Sequence, residues 1–114
     1  MKTVSLSLKN MRIKDIPKVE RPREKLLKYG ADKLSDSELL AILLRTGTKG
    51  KSAVEIADEI INNNGGSFKG LAGKDIEEIM KIPGIKKDKI ATIAAALEIS
   101  RRISKQILKD KGII

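Results

Sequence analysis

The sequence contains no cysteine, no histidine and no tryptophan, and its aromatic residues are Tyr29 and Phe68 alone. The missing cysteines exclude disulfide staples and thiol chemistry; the missing histidines remove the usual zinc ligand and the commonest general base. Metal-dependent or histidine-based catalysis is therefore not expected, and neither a metal site nor a cofactor is predicted. No apolar run approaches the roughly 20 residues of a membrane span, and residues 1–10 lack the continuous apolar stretch of a secretion signal. A cytoplasmic protein with no membrane contact is the expectation. With so few aromatics the core must be filled by Ile, Leu, Val, Ala and Met, and 114 residues suffice for one domain built from small packed helices.

Charge is plentiful and uneven. The formal net charge is +9. Residues 1–30 hold nine Lys/Arg against three acids, residues 31–98 ten against eleven, and residues 99–114 five against one. Two basic ends flank a balanced middle, a distribution that favours polyanionic partners. A lysine-rich composition also has a bland reading, as solvated faces and tails.

Val4, Leu6 and Leu8 alternate with polar residues, which predicts an extended basic arm over residues 1–19. A helix is predicted from Glu20 to Gly30, with Pro22 in its first turn and Gly30 as its stop. Ser35 and Glu38 have capping-box spacing and open a helix over about 36–45 with Leu39, Leu40, Leu43 and Leu44 inward. Ser52 and Glu55 repeat that spacing and open a helix to about Asn63, ended by Asn64-Gly65-Gly66. A turn at 67–71 precedes a third apolar stripe, Ile76, Ile79, Met80 and Ile82. The last helix is predicted from about Lys87 to Ile107, with Ile90, Ile93, Ala94 and Leu97 on one face. Its stripe then shifts to Ile99, Ile103 and Ile107, as expected of a helix that outruns its core, with residues 108–114 leading toward a further domain.

An offset of 37 residues lays the second half on the first. It pairs Leu39 with Ile76, Ile42 with Ile79, Gly47 with Gly84, Lys49 with Lys86 and Ala57 with Ala94. Each half reads as helix, glycine-containing turn, helix. Ile82-Pro83-Gly84-Ile85 resembles the helix-hairpin-helix signature, in which loop glycines let backbone N–H groups approach a phosphate and the second helix aims its positive end at the same anion. Lys86 stands where a second glycine is expected, and Lys49 has the equivalent place in the first turn. Two readings stand: the turns have lost the motif, or each adds a phosphate-seeking ammonium. Gly47-Thr48-Lys49-Gly50-Lys51-Ser52 imitates a nucleotide-binding P-loop, but two residues rather than four separate its glycines and a helix rather than a strand precedes it. What survives is a helix start at Ser52 flanked by Lys49 and Lys51, fit for one backbone phosphate.

The strings Glu20-Arg21-Pro22-Arg23-Glu24-Lys25 and Leu34-Ser35-Asp36, the run Glu38 to Gly47, and Gly84-Ile85 onward to Arg102 resemble the N-terminal domain of the RadC family over about residues 11–105. The resemblance implies an all-α tandem helix-hairpin-helix bundle over residues 20–107, like the second domain of RuvA, and a place in DNA repair. It also implies a C-terminal JAMM-type metalloprotease domain whose His-x-His zinc motif this chain lacks, so no enzyme activity is expected here.

The leading expectation is a non-catalytic module that holds duplex or branched DNA by its backbone phosphates, without reading sequence. Thr46, Gly47, Thr48, Lys49, Gly50, Lys51 and Ser52 in the first turn would form the site with Gly84, Ile85, Lys86, Lys87 and Lys89 in the second. The near absence of aromatics argues against base stacking on single strands. The alternative is a protein-interaction domain that docks the metalloprotease domain. DNA binding predicts exposed turn lysines on one face; docking predicts an exposed apolar strip on the last helix.

Overall fold

The computed structural model describes residues 21–82 and 85–114, so the expected arm over 1–19 lies outside the described residues, as do Pro83 and Gly84. The chain is all-α: α1 (Pro22–Tyr29), a 3-10 turn (Ala31–Lys33), α2 (Asp36–Leu44), α3 (Ala53–Asn62), a second 3-10 turn (Phe68–Leu71), α4 (Ile76–Met80) and α5 (Lys87–Asp110). Among the described residues there is no strand, and no helix is long and apolar enough to cross a membrane.

Local chemistry sets the helix starts. Pro22 stands at the first turn of α1, where its missing N–H costs nothing. The side chains of Ser35 and Ser52 accept from the N–H groups of Glu38 and Glu55, whose carboxylates accept in return from the N–H groups of Ser35 and Ser52, each at 3.1 Å. Asp75 and Glu78 form a third box of the same kind on α4. Such a cap stabilises a helix by about 0.5–2 kcal/mol. Four helices are short as expected; α5 is not, with 24 residues that continue past Ile107 into the stretch expected as a tail.

α2 packs on α3 and α4 on α5, and α2 also meets α5, so two helical hairpins share one core. Leu40, Ala41 and Leu44 from α2 and Ile56, Ala57, Ile60 and Ile61 from α3 form its larger part, completed by Leu71, Ile79, Ile82, Ile85 and Ile93. Each large aliphatic side chain so buried contributes about 1.5–3 kcal/mol. Three details differ from expectation. On α2 the buried stripe is Ser37, Leu40, Ala41 and Leu44, with Leu39 and Leu43 only half-buried. On α4 only Ile79 is buried, while Ile76 and Met80 are 58% and 53% exposed, because a five-residue helix has a single inward position. On α5 Ile93 alone is buried, with Ile90, Ala94 and Leu97 packed at the margin.

α1 is held to this core by Tyr29 and by a mostly buried ion pair, Lys25 Nζ to Glu38 Oε2 at 2.6 Å. Burial alone would raise the Glu38 carboxyl, but the bond from Lys25 and those with Ser35 outweigh it and hold it below its ordinary 4.5. A carboxyl depressed in the folded state contributes stability at pH values above the unfolded pKa and loses it as pH falls through the folded one. Lys25→Met is therefore expected to destabilise the chain by about 1–3 kcal/mol near neutrality. Urea titrations should show the gap between variant and parent closing as pH falls through and below the ordinary glutamate range.

Candidate nucleic-acid interface

The first hairpin turn spans residues 45–52 and the second residues 81–86. In the first, Thr48 and Lys51 exchange backbone hydrogen bonds, Thr48 N–H to the Lys51 carbonyl at 3.0 Å and Lys51 N–H to the Thr48 carbonyl at 3.1 Å. Lys49 and Gly50 form the tip, with Gly50 at φ +89°, the left-handed position that glycine occupies without strain. Lys49 is exposed there. Gly47 lies under the returning chain: a Cβ on it would sit 2.0 Å from the Lys51 carbonyl oxygen. Its small size admits the chain itself, where the sequence suggested room for a phosphate.

Ser52 is the N-cap of α3, and both its N–H and its side-chain oxygen are engaged with Glu55. That carboxylate already sits at the positive end of α3, which weakens this helix start as an anion site. Lys51 points away from the tip to Glu59, Nζ to Oε1 at 2.5 Å. Thr46 follows Arg45, whose φ of 69° and ψ of −52° are unusual for a side-chain-bearing residue; the Thr46 N–H donates to the Leu44 carbonyl at 2.8 Å across it. This tight γ-turn stores about 1–3 kcal/mol of backbone strain.

In the second turn Ile85 is buried and its N–H donates to the Ile82 carbonyl, so it serves the core. Lys86 is the N-cap of α5, which has no side-chain cap, unlike the starts of α2, α3 and α4. Lys86 and Lys87 are exposed; the Lys89 side chain is only 16% exposed and lies 3.8 Å from Asp88. The 37-residue repeat holds for the buried pair Ile56 and Ile93 of the second helices but not for the first, where buried Leu40, Ala41 and Leu44 fall on Glu77, Glu78 and Lys81. It does not hold for the lysines either: Lys86 matches Ser52 as an N-cap, while Lys49 stands at the tip of a longer turn.

Sequence reasoning missed a second basic feature. Arg21 and Arg23 from the start of α1 and Arg45 from the end of α2 line one cleft beside Gly47. The strings Glu-Arg-Pro-Arg and Leu-Leu-Arg-Thr-Gly contain all three, but nothing in either string says that they meet. Among the described residues no cluster of side chains could hold a metal ion.

The family profile described as UPF0758 N-terminal matches residues 13–91. The chain is similar to a UPF0758 protein of Clostridium kluyveri (strain ATCC 8527), 47% identical over 93 residues, which cover 82% of this chain and 40% of that protein. It is similar to one of Clostridium botulinum (strain Alaska E43), 47% identical over 107 residues, covering 91% and 45%. A third, from Shewanella sediminis, is 50% identical over 104 residues, covering 91% and 46%. The chain spans less than half the length of these relatives. No solved structure matches it.

The crowding at Gly47 is testable by unfolding. Gly47→Ala is expected to cost about 1–3 kcal/mol through overpacking against Lys51, followed by far-ultraviolet circular dichroism in urea. Gly50→Ala, with open space around it and only the positive φ to resist, should cost about 1 kcal/mol.

Proposed function

Because the chain belongs to the UPF0758 family, which is the RadC family, and matches its N-terminal domain, we propose that it is a non-catalytic module that binds duplex or branched DNA through backbone phosphates. The observation that carries this reading is the state of the turn lysines. Lys49, Lys86 and Lys87 are exposed and, among the described residues, unpaired, whereas Lys25 and Lys51 are spent on internal carboxylates. Lys86 and Lys87 also flank the one hairpin helix start that no side chain caps. The second turn thus offers Lys86 and Lys87 beside a first helical turn of α5 that also holds Asp88, and the first hairpin turn contributes chiefly Lys49. A helix-hairpin-helix role in DNA repair follows this reading and rests on it.

A second reading is favoured by α5. Ile99, Ile103 and Ile107 are 59%, 56% and 47% exposed and form a continuous strip with Leu108. Such a strip suits docking of a protein surface, and the metalloprotease-type domain implied by the family is a fitting occupant. The two readings use different faces and are compatible.

Fluorescence anisotropy of labelled duplex and branched DNA over a salt series tests the first. We expect a slope of log affinity on log salt of about −3 to −5, as for four or five neutralised phosphates, and loss of binding in Lys49→Glu with Lys86→Glu while helicity is retained. Undiminished binding by that double variant would refute the hairpin assignment.

A further inference from the structure

The cleft beside the first turn does more than add charge. Arg21, Arg23 and Arg45 line it together with Glu24, so among the described residues its lining side chains carry three positive charges against one negative. Among the described residues no carboxylate pairs with any of the three guanidiniums. Its lining also includes the apolar residues Ile42, Ala53 and Val54. Its volume, about 610 Å³, is in the range of small-ligand sites. Arg45 reaches it from the strained turn, where φ of 69° would suit glycine better. A long cationic side chain held at such a position at the expense of backbone strain points to a use for that side chain.

We propose that this cleft binds a phosphate monoester, the dianion present at the 5′ end of a DNA strand or on a free nucleotide. Three forked guanidiniums match a phosphate with several free oxygens better than a lysine pair does. The net lining charge of +2 (three arginines less Glu24) matches a dianion rather than the single charge of an internal diester. The apolar residues of the lining suit the sugar and base of a terminal residue. No hairpin lysine takes part, so this site and the hairpin reading can fail separately.

The test compares the binding of one duplex bearing a 5′-phosphate with that of the same duplex bearing a 5′-hydroxyl, and titrates a nucleoside 5′-monophosphate alone by calorimetry. The expected result is a preference for the phosphorylated duplex on the order of tenfold, or saturable binding of the free nucleotide, which assigns the source as a strand end or a small molecule respectively. Either should be lost in Arg45→Gln and in Arg23→Gln, and binding of the free nucleotide, which does not draw on the hairpin lysines, should be kept in Lys49→Glu with Lys86→Glu. Arg45→Gly separates binding from folding: it relieves the positive φ, so its melting temperature should not fall while monoester binding disappears. Equal affinity for both duplexes with no nucleotide binding would overturn the proposal. So would a preference that survives Arg45→Gln and Arg23→Gln combined.

Discussion

The placement of both turns depends on how tightly α2 and α3 close on each other and on what the second hairpin inserts between them. Ala57 is wholly buried, and its small side chain lets α3 approach α2 where Leu40, Leu44, Ile56 and Ile60 interdigitate. Into this aliphatic core the second hairpin sends Ile79, Ile82 and Ile85, and α5 sends Ile93. In a core with almost no aromatics, each branched aliphatic carries a large share of the contact. Truncating a buried leucine or isoleucine to alanine in such a setting costs about 2–5 kcal/mol. The segment leading into the second turn is pinned by Ile82 and Ile85, which fixes where Lys86 emerges.

The same arrangement gives the molecule two chemically distinct parts. Its proximal part is core and turns, and its cations sort into two kinds. Some are consumed internally, as Lys25 by Glu38 and Lys51 by Glu59. Others stand exposed at turn tips, helix starts and the arginine cleft. The distal half of α5 buries nothing and displays isoleucines beside basic residues. Glu98 is held there by Arg101 and Arg102 through hydrogen bonds that bring its pKa down to about 2. That triad is solvent-screened, with Glu98 partly and both arginines largely exposed, so it orders the helix surface more than it stabilises the fold. Anion recognition and protein docking therefore have separate faces available.

Much of the fold was legible because its signals are local. Ser35 and Ser52 announce helix starts through the spacing of serine and glutamate, and the third box at Asp75 follows the same rule with aspartate in the serine's place. Helix ends at Gly30 and near Asn63 were equally visible. Burial was less so: Ile76 and Met80 fit a helical stripe, yet α4 is too short to turn both inward. The repeat matched burial for Ile56 and Ile93 but misread the first helix of each hairpin, where the paired Ile76 and Met80 are exposed, and it misread Lys49, because a longer first turn shifts the chain between Gly47 and Ser52. The arginine cleft was not legible at all. It joins residues far apart in sequence, and the positive φ of Arg45 has no signature in a string that ends in Thr-Gly.

The most direct test of the account is amide chemical-shift mapping of the isotope-labelled chain titrated with duplex DNA at low salt. Perturbations are expected to be confined to residues 47–51, 86–89 and the surroundings of Arg45, with the amides of Ile99 to Leu108 unmoved. Shifts concentrated on the distal half of α5 with silent turns would contradict it and leave docking as the role of this domain.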